Sequence, residues 1–576
     1  MLRPADGFLS PDVTDERQVT MRFEQIQHSE DVGIMATGRF ITDYFESTAR
    51  NNQNPAIRWG KGNVLSWAEL YERAQRLAHY LVNERGVCQG DCVAIGLERS
   101  PEFLVAAYAV LLAGGVYFPV EAKTPAARLT SMFATAQCRI AFCNVAQESL
   151  FTQAKPGLEL IGREFLTEIF TSHCLDDHRL SFHHSESAGK KARQRRATDP
   201  AYLIFTSGTT GTPKGVLVNH GAFINRLQWH QAHSEMTDAD IILQRTALTF
   251  DVSLWELFLP ALNGASNYLL QPGLEAFPRG IVAALISENI TVVHFVPSLL
   301  KPVLQELQEL QDDSAETPSL SALRRVYVSG ESLPASLVTQ FQKIFASRCL
   351  LTNLYGPTEA AIDVSFYDCV ETVSDAIPIG QPLTGCQLYI LEPDSLTLKA
   401  DSKEGEIAIG GICLAEGYYN RKDLTDKVFI FHPELQQRLY LTGDLGWHEK
   451  RRGFFCQGRK DTQVKLRGLR IELGEIEHHL LNYPSITEAV ACVVEDEDQE
   501  QWLVAAIVAG KRGLNEQDIR QFLAVQVPAY MLPTRYWQAR NLPRSGSGKL
   551  DRKTIAQNMR DLFFTDHHGV GNLIHE

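Results

Sequence analysis

The segment Phe205-Thr206-Ser207-Gly208-Thr209-Thr210-Gly211-Thr212-Pro213-Lys214-Gly215 constrains the chain more than any other. An apolar run, Tyr202–Phe205, leads into it and Val216-Leu217-Val218 leads out, so it reads as a loop between two strands. Glycines let backbone N–H groups approach an anion, hydroxyls donate to it, and one lysine adds charge; together they make a phosphate grip. A glycine-rich loop alone is often a plain turn, but the density of hydroxyls and the single lysine argue for an anion. The order differs from the Walker A loop, since Pro213 precedes Lys214 and Gly215 follows it.

The chain around this loop alternates between helix-period and strand-like segments. Glu69 to Glu84 reads as an amphipathic helix and Asp91–Leu97 as a strand, and the alternation resumes from Ala201 to about residue 370. Phe103 to Val120 is a run of eighteen uncharged residues, near the lower limit for a membrane span. It contains Gly114, Gly115 and Pro119 and turns strand-like at Val116-Tyr117-Phe118, so a buried helix followed by a buried strand is the better reading. Gln387–Leu391, Glu406–Ile409, Arg438–Leu441 and Gly453–Cys456 read as short strands. After Gly458 the character changes: Gln463–Ile471 is strand-like, Leu473–Leu481 helical, Ala489–Val494 and Trp502–Val508 form a pair, and Leu514–Val525 is a helix. The expected fold class is α/β. Residues 37–460 form a large domain of helix-sandwiched sheets with a β-rich subdomain. A small mobile α+β domain follows over 461–563, with an extension at 1–36 and a tail at 564–576.

Composition excludes several classes. The 55 Lys plus Arg against 69 Asp plus Glu give a formal charge of −14, which argues against a nucleic-acid or anionic-membrane surface. The basic run Lys190–Arg196 within residues 172–198 reads as a solvated surface loop. Eleven scattered cysteines with no CxxC fit reduced thiols and a cytoplasmic location. The opening Met1-Leu2-Arg3-Pro4-Ala5-Asp6 lacks the apolar core of a secretory signal.

The loop Thr206–Gly215 resembles the phosphate-binding signature of the adenylate-forming (ANL) superfamily, which includes acyl-CoA synthetases, luciferases and the adenylation domains of nonribosomal peptide synthetases. Further segments similar to that family's signatures follow in its order. They are Leu65–Leu70, Leu112–Pro119, Phe250-Asp251-Val252-Ser253, Asn353-Leu354-Tyr355-Gly356-Pro357-Thr358-Glu359, Gly405-Glu406-Ile407 with Gly417-Tyr418, Tyr440–Leu445, Gly458–Asp461 with Val464–Glu472, Pro528–Pro533 and Gly548–Arg552. The resemblance covers roughly residues 40 to 555 and points to the peptide-synthetase branch. It implies that a carboxylate is joined to the α-phosphate of ATP with release of pyrophosphate, in the presence of Mg²⁺. Two anions meet in such a step, so cations and N–H donors must gather at the transferring phosphorus.

By the same resemblance, Thr206, Ser207, Gly208, Thr209, Thr210, Gly211 and Lys214 hold the β- and γ-phosphates, and Gly330, Glu331, Ser332, Asn353 and Gly356 line the nucleotide. Tyr355 stacks on adenine, and Asp444 with Arg459 holds the ribose. Thr358 and Glu359 meet the α-phosphate and the metal, a hard cation suited to a carboxylate. Lys549 bridges substrate carboxylate and phosphate. Asp461 is the hinge about which the small domain rotates, withdrawing Lys549 and bringing Gly468 to the thiol tunnel.

The pocket positions implied are Asp251, Val252, Trp255, His294, Tyr327, Ser329, Leu354, Ile362, Asp363 and Lys549. Asp251 is a carboxylate in mostly apolar surroundings and needs a cation, which an α-ammonium group supplies. Trp255 and Tyr327 narrow the pocket, while His294, Ser329 and Asp363 leave polar groups for a small hydroxylated side chain. The set resembles that of serine-activating domains, so L-serine is the expected substrate, with threonine the runner-up and an acyl- or aryl-CoA ligase the alternative class. Glu121, Glu416 and Ser547 depart from the usual pattern without removing a catalytic group. Only 24 residues follow Arg552, too few for a carrier domain. A free-standing enzyme is therefore expected, loading the phosphopantetheine arm of a carrier protein in trans, with an MbtH-like protein as a further candidate partner.

Overall fold

In the computed structural model the described residues are 39–171, 195–208, 211–313, 320–370, 376–393, 395–497, 500–510, 514–545 and 549–565. The expectations for the extension at 1–36, for most of the basic segment, for Thr209, Thr210 and Gly548, and for the tail beyond 565 lie outside them.

Local signals set the helices. Ser66 and Glu69 form a reciprocal capping box at the start of the helix Trp67–Asn83: the Ser66 hydroxyl accepts from the Glu69 N–H and a Glu69 oxygen accepts from the Ser66 N–H. Asn219 caps His220–Ser234 by accepting from the Ala222 N–H at 2.8 Å. The uncharged run resolves into the helix Pro101–Leu112, capped by Ser100, and the buried strand Val116–Pro119. Among the described residues no helix is long and apolar enough to cross a membrane.

Two helix-flanked sheets form the large part of the fold. A seven-stranded sheet runs in the order Gly417–Tyr418, Lys214–Asn219, Pro200–Thr206, Val116–Pro119, Cys92–Ile95, Ile140–Cys143 and Glu159–Gly162. A nine-stranded sheet has at its centre the parallel strands Leu350–Tyr355, Arg325–Val328, Val292–Phe295, Ile241–Gln244 and Ser266–Leu269. The helices Trp67–Asn83, Pro101–Leu112 and His220–Ser234 contribute to one continuous core that both sheets share. A β-rich third sheet follows, built from Cys386–Leu391, Gly405–Gly411, Phe429–His432, Gln437–Glu449 and Gly453–Arg459. The α/β expectation is met.

The small C-terminal part is α+β. Ile486–Glu495 and Gln501–Ala509 pair antiparallel, and Arg535–Ala539 joins them in parallel. Helices Leu473–Leu481, Glu516–Ala524 and Arg552–Arg560 cover this sheet. One sequence expectation needs correction. Gln463–Ile471 is not one strand but a hairpin, Gln463–Leu466 against Leu469–Glu472. Arg467 and Gly468 form its two-residue turn, with φ of 52° and 75°, the left-handed pair that a type I′ turn requires.

Candidate active site

The site lies outside the carboxyl ends of the central strands, where open α/β sheets present their loops. Thr206 stands opposite Lys214 in the pairing of Pro200–Thr206 with Lys214–Asn219, so the two ends of the loop face each other. The Ser207 hydroxyl donates to the Arg470 carbonyl at 3.1 Å, and the Gly208 N–H donates to Glu475 Oε2 at 3.1 Å. Lys214 Nζ lies 3.5 Å from Glu472 and 5.1 Å from the centroid of the Tyr418 ring. Burial lowers the Lys214 pKa, with the Arg470 charge adding to the effect. Thr206 Oγ1 is buried without a partner. The loop thus offers N–H, hydroxyl and ammonium donors, and in this arrangement small-domain carboxylates face two of them.

Glu359 sits in the short 3₁₀ turn Thr358–Ala360 and is fully buried. Burial alone would raise its pKa, yet the charges of Arg470 and Lys214 hold it down at about 2, helped by hydrogen bonds from Arg470 and Tyr418. Arg470 donates to one oxygen at 2.7 Å and the Tyr418 hydroxyl to the other at 2.7 Å. An ionised, buried carboxylate beside a phosphate-type loop suits a Mg²⁺ ion that takes its other ligands from phosphate and water. Among the described residues no three-residue His, Cys, Asp or Glu cluster could hold a metal without such help.

Tyr355 ends the strand Leu350–Tyr355, and its hydroxyl donates to Asp444 Oδ2 at 2.6 Å. Arg459 donates to the other Asp444 oxygen and also to Asp461. Lys465 Nζ lies 5.9 Å from the centroid of the Tyr355 ring. Asn353 turns away to donate to the Pro378 carbonyl at 2.8 Å. Ser332 is exposed in the loop before the helix Ala335–Phe345. Gly356 is required by close approach: a Cβ there would stand 2.3 Å from the Asp363 Cα and 2.4 Å from the Ile362 carbonyl. Ala361 and Ile362 are both left-handed, with φ of 53° and 81°, a strained pair immediately before Asp363.

Asp251, Val252, Trp255, His294, Tyr327, Ser329, Leu354, Ile362 and Asp363 are all buried, and the sheet brings several of them together. His294 and Tyr327 are register partners on adjacent strands, with Leu354 on the next. Trp255 stands on the helix Val252–Phe258, its ring centroid 5.7 Å from Tyr327 and 6.3 Å from His294. His294 Nε2 and Ser329 Oγ are 2.9 Å apart. Asp251 Oδ1 accepts from the Val252 N–H at 2.8 Å. Burial pushes the Asp251 carboxyl up to about 6, partly offset by a hydrogen bond from Thr358 and reinforced by the nearby Asp363 charge. One oxygen of Asp363 is already taken, because Arg226 donates to it at 2.6 Å.

Lys549 is not brought to this group. It is exposed on the small domain, and its carbonyl accepts from the Ser545 N–H at 2.8 Å. The physical reason is which face docks. The hairpin turn and the helix Leu473–Leu481 meet the large domain instead: the Gly468 N–H donates to Glu331 Oε1 at 2.6 Å, and Gly468 packs against Gly330 and Val296. Arg128 and Glu475 add an ion pair at 2.5 Å, with side chains 6% and 0% exposed.

Sequence reasoning missed Arg470, Tyr418 and Glu475 as partners of the loop, although the first two stand within segments it had singled out. Arg226 and His230 carried no signal beyond their spacing of one helical turn.

Residues 44–419 match the AMP-binding enzyme family and residues 475–549 its C-terminal domain. The chain is 35% identical to zwittermicin A synthase ZmaJ of Bacillus cereus over 538 residues, covering 92% of this chain and 97% of that protein. It is 35% identical to phosphinothricin tripeptide synthetase PhsB of Streptomyces viridochromogenes over 87% of this chain, but spans only 40% of that protein. Among solved structures, holo-AB3403, a four-domain nonribosomal peptide synthetase bound to AMP and glycine, aligns with TM-score 0.62 and 26% identity over 93% of this chain and 37% of that one.

Proposed function

Because the chain belongs to the family of AMP-binding enzymes and is an ATP-dependent adenylate-forming ligase of the ANL superfamily, we propose that it activates an α-amino acid, L-serine. The serine carboxylate attacks the α-phosphate of ATP, pyrophosphate leaves, and the seryl group of the resulting seryl-AMP passes to the phosphopantetheine thiol of a carrier protein.

The observation that carries this reading is Asp251. A buried carboxylate whose pKa rises to about 6 gains from an α-ammonium partner, and a fatty or aryl acid offers none. The peptide synthetase solved with AMP and glycine supports the same substrate class. Around serine, His294 and Ser329 would meet the hydroxyl, while Trp255 and Tyr327 limit side-chain length.

In the proposed first step Lys214 and the N–H and hydroxyl donors of residues 206–211 grip the β- and γ-phosphates. Tyr355 supports the adenine, and Asp444 accepts from the ribose with Arg459 alongside. Mg²⁺ bound at Glu359 would neutralise charge that develops on the phosphates. Lys549 then has to enter from the small domain to join carboxylate and α-phosphate. That requires a rotation about Asp461, since Arg470 now occupies Glu359 and Glu475 occupies the Gly208 N–H. The present docking, with Gly468 against Gly330, supports assignment to the second step, in which the thiol reaches the adenylate. The described cysteines are all free thiols, which supports a reducing, cytoplasmic setting.

Amino-acid-dependent ATP–pyrophosphate exchange across the proteinogenic set, with and without a co-expressed MbtH-like protein, tests the reading. A dominant serine signal is expected. Silence with every amino acid under both conditions would overturn it.

A further inference from the structure

Packed against the proposed side-chain pocket are buried polar atoms without partners. Arg226 and His230 lie one turn apart on the helix His220–Ser234, and both are buried. The His230 ring lies against two pocket residues, 4.3 Å from the centroid of Trp255 and 4.5 Å from that of Tyr327. One Arg226 nitrogen donates to Asp363 at 2.6 Å and another lies 3.0 Å from His230 Nδ1. A guanidinium can only donate, so His230 Nδ1 is the acceptor, and the neutral ring carries its proton on Nε2. Burial foremost, then the charge of Arg226 and the nearby His233, Arg325 and His294, holds this imidazole well below 6.5 and hence neutral. The Nε2–H that results is buried with no acceptor, and so is Trp255 Nε1–H; His294 Nδ1 is unpartnered as well. An unmet buried donor is costly, and an oxygen that accepts from it removes that cost.

We propose that His230 is a specificity-determining residue whose Nε2–H donates to the side-chain oxygen of the activated amino acid, and that Arg226 is the positioning residue that fixes this polarity. The proposal rests on the amino-acid reading above and extends it to a residue outside the ten pocket positions. Arg226 has a second effect through Asp363. By neutralising that carboxylate it removes the natural partner of a cationic side chain, so the pocket favours a neutral oxygen over an ammonium.

The test compares kcat/KM for serine and alanine by ATP–pyrophosphate exchange in the wild type, His230→Leu and His230→Gln. His230→Leu is expected to shrink the serine-to-alanine ratio on the order of 10- to 100-fold, chiefly through KM for serine, and His230→Gln, which retains an N–H donor, to recover most of it. A ratio unchanged in His230→Leu overturns the proposal. If the wild type prefers threonine or another oxygen-bearing side chain, and its ratio to the deoxy counterpart falls in the same variant, the serine reading fails and the role of His230 stands. A wild type that prefers alanine sinks both. Because a buried substitution can impair folding, ¹⁵N spectra of histidine-labelled wild-type protein give an independent arm. They should report His230 protonated on Nε2 alone, and an Nδ1–H tautomer or an imidazolium would contradict the assignment.

Discussion

At the scale of single residues, Asp251 makes the most exposed commitment. Its carboxyl is raised to about 6 by burial, and under the proposed function the α-ammonium group of the substrate binds only the ionised form. As pH falls through about 6 the carboxyl takes a proton and loses that attraction. KM for serine should therefore be flat above neutrality and rise below about 6, while KM for ATP follows a different profile. Asp251→Asn should abolish this inflection and raise KM for serine on the order of 100-fold, since the substrate ammonium is left buried without a counter-charge. Steady-state exchange kinetics across pH check both. Asp251 was legible in the sequence because Phe250-Asp251-Val252-Ser253 is a continuous signature. Arg226 was not, because its partner Asp363 is 137 residues away and only the fold makes them neighbours.

Among the elements, the hairpin Gln463–Glu472 sets how the two parts of the molecule meet. Its strand character was readable over Gln463–Ile471, but its reversal depends on Arg467 and Gly468 both adopting left-handed φ, which hydrophobic periodicity does not report. Gly468 is constrained twice. Its φ of 75° disfavours a side chain, and an added Cβ would stand 2.3 Å from Val296 Cγ1. Gly468→Ala should spare serine-dependent ATP–pyrophosphate exchange to within about threefold and slow transfer to the carrier thiol by at least about tenfold. Paired measurements of exchange and of carrier loading separate the two. The three-stranded sheet of the small domain was easier to anticipate in part: Ala489–Val494 and Trp502–Val508 read as a pair and do pair, whereas the parallel partner Arg535–Ala539 had no local signal.

For the whole molecule the proposed two-step reaction requires two arrangements of one small domain. In the arrangement observed, Arg470 sits on Glu359, Glu475 on the phosphate loop and Lys549 in solvent. Lys549→Ala should therefore depress adenylate formation by roughly 100-fold or more while sparing thiol transfer from preformed seryl-AMP. Equal loss of both half-reactions would show that one docked arrangement serves both. The sequence placed Lys549 in the family's final motif but could not say which face of its domain would be turned inward. That choice is made by the ion pairs Arg128–Glu475 and Arg470–Glu359, across separations of 347 and 111 residues. The central claim, that this molecule makes seryl-AMP, is tested most directly by trapping its product. The enzyme is incubated with ATP, Mg²⁺ and an equimolar mixture of the proteinogenic amino acids, the adenylates are captured with hydroxylamine, and the hydroxamates are quantified by mass spectrometry. Serine hydroxamate should dominate and depend on ATP. Dominance of another amino acid's hydroxamate, or none above the ATP-free control, would contradict the claim.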